Sequence, residues 1–169
     1  MPGKPPKAGG GSVAPSRDEG IKVVATNRKA RHEYHILETY EAGLALLGPE
    51  VKSLRAGRVS MAEAYAQVQD EEAFLLQAHI SPYDQANRFN ADPTRTRKLL
   101  MHKREIRRLA GKIQEKGLTL IPLRIYFRKG KAKIEIALAR GKKSFDKRAA
   151  VARRDAEREM ERARARRDD

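Results

Sequence analysis

The chain contains no cysteine, which excludes disulfides, thiolate metal sites and cysteine nucleophiles. Aromatic residues are only 5% of it. No run approaches the ~18 consecutive apolar residues of a membrane-spanning helix. A mean hydropathy of −0.73 agrees in excluding a membrane protein. The N-terminus reads Met1-Pro2-Gly3-Lys4-Pro5-Pro6-Lys7 and lacks the apolar stretch of an export signal, which predicts a cytoplasmic protein. Acidic side chains are also in short supply. There are 22 of them against 37 Lys and Arg, for a formal net charge of +15 and a pI near 10.3. What is present is hydrophobic residues, 40% of the 169 positions, clustered in patterned runs. That pattern argues against full disorder and for a single domain with tails.

The positive excess has an address. Residues 1–20 carry net +1, residues 21–140 net +10 and residues 141–169 net +4. Most of the charge thus sits on the part with apolar patterning, and a basic folded surface implies an anionic partner. Nucleic acid fits better than a membrane surface, because no basic helix shows a bulky apolar face.

Residues 1–20, rich in Pro and Gly, read as a flexible arm. From Ile36 to Leu47 a strand is expected, with Tyr40, Ala42, Leu44 and Leu46 on one face and Gly43 interrupting the other at a bulge or barrel corner. Pro49 suits the first turn of a short helix over 50–55, stopped by Gly57. Tyr65–Gln69 and Ala73–Ile80 read as a hairpin around Asp70-Glu71-Glu72, with Phe74, Leu76, Ala78 and Ile80 sharing a face. Asp92 is a good N-cap and Pro93 a good first residue for a helix running to a C-cap at Gly117, with Leu99, Ile106, Ala110 and Ile113 at helical spacing. Two further strands alternate Ile121, Leu123, Ile125, Phe127 and then Ile134, Ile136, Leu138, joined by a basic tip containing Gly130. Pro122 lacks a ladder donor and belongs at an edge or bulge. The sum is a mainly β fold: a small OB-like antiparallel β-barrel with inserted α-helices over residues 21–140.

Beyond residue 140 the apolar supply fails. Residues 146–167 hold helix formers and opposite-charge pairs at i, i+3, such as Arg154/Glu157 and Glu161/Arg164, each contributing a few tenths of a kcal/mol. Residues 141–169 are therefore expected to be a basic tail, disordered alone and helical when bound.

Catalytic patterns fail on inspection. His32-Glu33-Tyr34-His35 is one residue short of a zinc-protease helix motif. Gly141-Lys142-Lys143-Ser144 mimics the end of a phosphate-binding loop, but Lys143 stands where Ser or Thr must hold magnesium. Carboxylates are scattered singly among bases. No enzyme, metal or cofactor is expected, and no small-molecule substrate. Binding chemistry remains. Residues 88–116 carry net +7, including Arg95, Arg97, Lys98, Lys103, Arg104, Arg107, Arg108 and Lys112. Such a face is either solvated or bound to phosphate, and one-signed charge repels itself without a partner. Tyr34, Tyr40, Tyr83 and Phe89 could stack on bases, but so few aromatics point to recognition of shape and backbone.

Five runs, in order, carry a resemblance. They are Asn27-Arg28-Lys29-Ala30-Arg31-His32-Glu33-Tyr34, Tyr40-Glu41-Ala42-Gly43-Leu44-Ala45-Leu46, Glu50-Val51-Lys52-Ser53-Leu54-Arg55-Ala56-Gly57, Asp92-Pro93-Thr94-Arg95-Thr96-Arg97-Lys98-Leu99-Leu100, and Gly141-Lys142-Lys143 followed by Asp146-Lys147-Arg148. Together they resemble the bacterial SsrA-binding protein (small protein B) family over residues 22–148. The resemblance implies an OB-type barrel that binds the tRNA-like half of transfer-messenger RNA (tmRNA, SsrA). It also implies a tail that enters the ribosomal decoding centre and mRNA channel during trans-translation, the rescue of ribosomes stalled on messages without a stop codon. A monomer is expected. The RNA-facing candidates it implies are Asn27, Glu41, Leu100 and Lys133, and the basic residues Arg31, Arg95, Arg97 and Lys98 are candidates beside them. The tail candidates are Gly141, Lys142, Lys143, Phe145, Asp146, Lys147 and Arg148. Glu41 is open to two readings, an acceptor for base or 2′-hydroxyl donors or one half of a salt bridge. Leu100 is open to an RNA-facing or a core role. At Phe145 many family members carry His or Tyr, and beyond Arg148 the tail is richer in Ala and Arg than the family pattern. A structural rRNA-binding component of the ribosome is the competing reading, equally basic and tailed.

Overall fold

The computed structural model describes residues 20–166, with the side chains at 87–89, 116, 144–146 and 150 outside that description. The arm expected over 1–20 therefore lies outside it, save for Gly20. In chain order the elements are β1 (Ile21–Thr26), α1 (Arg28–Glu33), β2 (Tyr34–Leu44), α2 (Gly48–Arg55), β3 (Val59–Ser60), β4 (Tyr65–Gln69), β5 (Glu72–Leu76) and β6 (His79–Ile80). A 3-10 turn (Asp84–Phe89) follows, then β7 (Arg97–Leu100), α3 (Lys103–Lys116), β8 (Thr119–Arg128), β9 (Lys131–Gly141) and α4 (Ser144–Ala165).

Seven strands form one antiparallel sheet in the order β1-β8-β4-β5-β7-β2-β9, and β9 pairs back onto β8. That last pairing closes β8, β4, β5, β7, β2 and β9 into a ring, with β1 on the free stretch of β8 beyond β4. Closure leaves those six strands without an open edge. Two tight turns help. Asp70 and Glu71 join β4 to β5, and Lys129 and Gly130 join β8 to β9. All four have positive φ, the backbone geometry that matches the right-handed twist of a hairpin.

Ring closure also gives the core two compartments. Leu44, Leu54, Leu75, Leu99, Leu109, Leu120, Ile125, Ile134, Ile136 and Leu138 fill the interior, and Ala30, Ile121, Leu123, Ala137 and Ala139 pack outside it beneath α1. β8 and β9 are thus buried on both faces over part of their length. Each fully buried Leu or Ile contributes about 1.5–3 kcal/mol, so a domain of this size holds without covalent staples.

Several sequence expectations change phase here. Ile121 and Leu123 do not share a face with Ile125 and Phe127. A register shift between Pro122 and Arg124 inserts one residue and flips the parity, so the first two meet α1 and the last two the interior. Pro122 sits at that bulge. In the hairpin, Ala73 and Leu75 point inward while Phe74 and Leu76 are only half-buried. Gln77, at φ +59, ends β5 and resets the alternation so that Ala78 and Ile80 are buried. Gly43 is not at a bulge; the irregularity of β2 falls at Ile36/Glu38. Gly43 instead makes room for a neighbour, since a Cβ there would lie 3.1 Å from the Leu100 Cβ.

The largest correction concerns residues 92–102. The helix begins at Lys103, not at Pro93. Asp92 caps no helix; its Oδ1 accepts from the Thr94 amide at 2.9 Å and the Thr94 hydroxyl at 3.1 Å, a local turn that Asp-Pro serves as well as a helix start. Arg97 and Leu99 then point inward at period two in β7. The C-cap falls as expected on Gly117, at φ 60 with its amide on the Ile113 carbonyl at 3.0 Å.

Candidate RNA interface

The pleat of four neighbouring strands assembles one outward face. Gly43 of β2 pairs with Leu100 of β7 on one side and Lys133 of β9 on the other, and Lys133 pairs with Tyr126 of β8. Two residues along, Glu41 faces Glu135, which faces Arg124. Because side chains two apart share a face, Lys98, Leu100, Glu41, Lys133, Glu135, Arg124 and Arg128 belong to this surface, with Tyr126 on the same side but buried beneath it. Four candidates taken from scattered stretches of sequence, Glu41, Lys98, Leu100 and Lys133, meet here. Leu100 is 53% exposed, so it is no core residue.

The face is wired by Glu41. Its Oε2 accepts from the Tyr126 hydroxyl and from Arg128 Nη1, the latter at 2.7 Å. Tyr126 lies between two guanidiniums, Arg124 at 5.1 Å and Arg128 at 5.7 Å from its ring centre. Burial pushes the Tyr126 phenol well above its ordinary value, and the bond to Glu41 adds to this. The hydroxyl therefore remains a donor at neutral pH. Arg124 is held by Glu135 at 2.6 Å and Lys98 by Glu72 at 3.0 Å. Lys133 has no ion pair among the described residues. The arrangement offers fixed cations, one exposed apolar side chain over a glycine gap, and a carboxylate whose second oxygen has no hydrogen bond among the described residues. Such a set suits phosphate and 2′-hydroxyl groups better than base edges.

α3 flanks this surface. Lys103, Arg104, Arg107 and Arg108 are exposed while Ile106 and Leu109 are buried, so the helix turns its bases outward. Lys112 bonds Glu38 at 2.5 Å, and that contact, with the Tyr40 hydroxyl, holds the Glu38 carboxyl below its usual range. A cleft between β2 and α3 is lined by Glu41, Gly43, Lys98, Leu100, Lys103 and Lys133.

Other candidates are placed elsewhere. Arg97 is fully buried and cannot reach RNA. Its Nε meets Glu50 Oε2 at 2.6 Å, and its Nη1 donates to the Ala78 carbonyl at 2.7 Å. Arg95 binds the same carboxylate, with Nε 3.1 Å from Oε1. Burial alone would raise the Glu50 pKa, but Arg95, the Leu47 amide and Arg97 outweigh it and hold the value low. Asn27 is the N-cap of α1; its Oδ1 accepts from the Ala30 amide at 3.3 Å and its Nδ2 donates to the Pro122 carbonyl at 3.0 Å. Arg31 is exposed on α1, beside the root of the tail. Gly141 ends β9 opposite Tyr34. Lys142 binds α1, Lys143 and Arg148 are exposed and Lys147 is half-buried; the side chains of Phe145 and Asp146 lie outside the described ones. Of the aromatics, Tyr34 and Tyr40 are half-buried against the core and Tyr83 lies under Lys52 at 5.3 Å. The side chain of Phe89 is outside the described set.

Tyr126, Arg124 and Arg128 were missed from sequence. Their signal was present, three polar or amphipathic residues at period two in β8, but it was hidden by the shift at Pro122.

Comparisons with known proteins follow the same direction. The family model SmpB protein matches residues 24–166. The chain is similar to the SsrA-binding protein of Symbiobacterium thermophilum, 64% identical over 144 residues, which cover 85% of this chain and 91% of that one. It is likewise similar to the SsrA-binding protein of Desulforamulus reducens, 60% identical over 147 residues, covering 86% and 91%. A solved structure from "tmRNA-SmpB: a journey to the center of the bacterial ribosome" is 56% identical with a TM-score of 0.61, covering 71% of this chain and 85% of that chain. With the family model spanning nearly all the described residues, the chain belongs to the SmpB family.

Proposed function

We propose that this protein is a non-catalytic RNA-binding factor that holds the tRNA-like half of tmRNA and acts with it on stalled ribosomes in trans-translation. The observation that carries the reading is the convergence of Glu41, Lys98, Leu100 and Lys133 with Arg124 and Arg128 on one outward face, over the buried Tyr126. The names of its SmpB-family relatives support the same RNA. Barrel residues 21–140, of the OB type, bind tmRNA; Arg95 and Arg97 serve the barrel through Glu50 instead of the RNA. Residues 141–169 form the second working part, aimed at the decoding centre and mRNA channel. The helix α4 has almost nothing to pack on, since the residues described from 151 to 166 are all exposed. Beyond its root on α1 its order depends on a bound surface, where Lys and Arg release counterions. Among the described residues no helix is long and apolar enough to cross a membrane, and action on ribosomes implies the cytoplasm.

The test is affinity for purified tmRNA. Glu41→Ala should weaken binding about tenfold, the scale of one charge-assisted hydrogen bond. The melting temperature should barely move, because the Glu41–Arg128 pair is more than a third exposed on each side and such pairs contribute little. A large drop in melting temperature with affinity intact would make Glu41 a structural ion pair only. Recovery at one copy per ribosomal subunit after high-salt washing, without tmRNA, would favour a permanent ribosomal component.

A further inference from the structure

The RNA face and the tail root sit at opposite ends of one ladder. β2 and β9 pair from Gly43/Lys133 to Tyr34/Gly141. Eight residues of strand at roughly 3.3 Å each separate the two ends by about 25 Å. The barrel thus acts as a strut between two binding regions, and the strut transmits direction only if the tail leaves it at a defined angle.

What the tail meets at that point is α1. Past Gly141, the Lys142 amide donates to the Glu33 carbonyl at 2.8 Å. The Lys142 ammonium donates to the Arg31 carbonyl at 3.1 Å. Both carbonyls belong to the last turn of α1, whose C=O groups have no partner within the helix and which carries the negative end of its dipole. Three turns into α4, Arg154 Nη2 lies 3.2 Å from His32 Nδ1, a second point on the same short helix. α1 is itself fixed to the barrel: Ala30 is buried in the outer compartment of the core, and Asn27 is tied to Pro122.

We propose that α1 is a platform that aims the tail, with Lys142 as the positioning residue and the Arg154–His32 contact as a lighter second point. The inference rests on the tail function proposed above and adds a role the motif does not reveal: Lys142 works within the protein, on α1, and sets where its neighbours arrive. Its contacts use backbone carbonyls, so α1 can vary in side chain and still hold it. Arg154 is exposed and His32 half-buried, and a single contact at the surface contributes well under 1 kcal/mol. The root is therefore held while the far end of α4 remains free to adapt.

The absence of native cysteine makes the test clean. Spin labels at Gln67→Cys on β4 and Ala149→Cys near the tail root in the full chain should give a narrow distance distribution. Lys142→Ala should broaden it, Lys142→Arg should restore it because arginine can also donate to the Arg31 carbonyl, and His32→Ala should broaden it less. In parallel, Lys142→Ala should keep tmRNA affinity within twofold and lower peptide tagging on ribosomes programmed with a stop-less message. The salt dependence of ribosome binding should stay unchanged, whereas loss of a direct phosphate contact makes that log–log slope shallower by roughly 0.7–0.9. A broad distribution in the unsubstituted tail, or an unchanged one in Lys142→Ala, overturns the proposal. So does a salt slope shallower by one contact. Failure of the parent protein to bind tmRNA or support tagging would instead overturn the function on which the inference rests.

Discussion

Glu50 is the residue on which the largest stability effect turns. It is 5% exposed, and the two guanidiniums of Arg95 and Arg97 share its carboxylate. A buried pair is costly to break, because the survivor keeps its desolvation penalty without its partner. Arg97→Ala or Glu50→Gln should destabilise the fold by about 3–5 kcal/mol, measured by urea unfolding. The pH dependence follows from the lowered carboxyl. A group whose folded pKa lies below its unfolded one stabilises fully above the unfolded value, and loses that contribution as pH falls through the folded value. Stability of the parent protein should therefore decline on the acid side of the ordinary glutamate range, and Glu50→Gln should flatten that decline. Glu41, by contrast, is about a third exposed, and under the proposed function it holds its partners for a ligand. These two acids look alike in a basic sequence; burial alone separates a structural anchor from a recognition group.

Among the elements, α3 makes the sharpest electrostatic claim. Lys103 and Arg104 have no ion pair among the described residues, and Arg107 meets Glu71 at 3.1 Å. If Arg104 and Arg108 touch phosphate, replacing both with alanine should make the log–log salt dependence of tmRNA binding shallower by roughly one to two units. An unchanged slope assigns them to solvent. The existence of α3, its C-cap at Gly117 and its amphipathic face were legible from spacing. Its start was not, because Leu99 fits a helical register by coincidence and Asp92-Pro93 makes a turn equally well. The strand phases of β5 and β8 failed for a related reason. One residue at positive φ, Gln77, and one inserted residue, near Pro122, each invert the alternation that the pattern assumes to be continuous.

Under the proposed function, the whole molecule divides its work along the β2–β9 ladder. Removing the tail after Lys143 keeps the ladder to its last pair at Tyr34/Gly141 and keeps both Lys142 bonds to α1. The remaining barrel retains its core and should bind tmRNA within a few-fold of the full chain while losing peptide tagging on stop-less messages. Replacing Asp146, Lys147 and Arg148 together with alanine should give nearly the same phenotype. Normal tagging by the shortened protein would remove the tail's role, and collapse of tmRNA affinity would show that the two parts are not separable.

Composition and periodicity determined a good deal unaided: an anionic partner, absence of thiol chemistry, a small antiparallel β fold with one strongly basic helix, and a tail poor in apolar residues. These follow from local properties, since charge and side-chain alternation are written residue by residue. The motif runs added the family. Tertiary structure alone decided which charges face outward. Arg95 and Arg97 read as RNA ligands with Lys98, yet the pleat of β7 sends Arg97 inward to Glu50 and leaves Lys98 outside. Tyr126 and Arg128 meet Glu41 only because β8 lies beside β9 and β9 beside β2, which brings residues some 85 positions apart to one carboxylate. Lys142 became an anchor only because β2 begins where β9 ends. Pairing between distant strands sets these neighbours, and no window of sequence contains both partners.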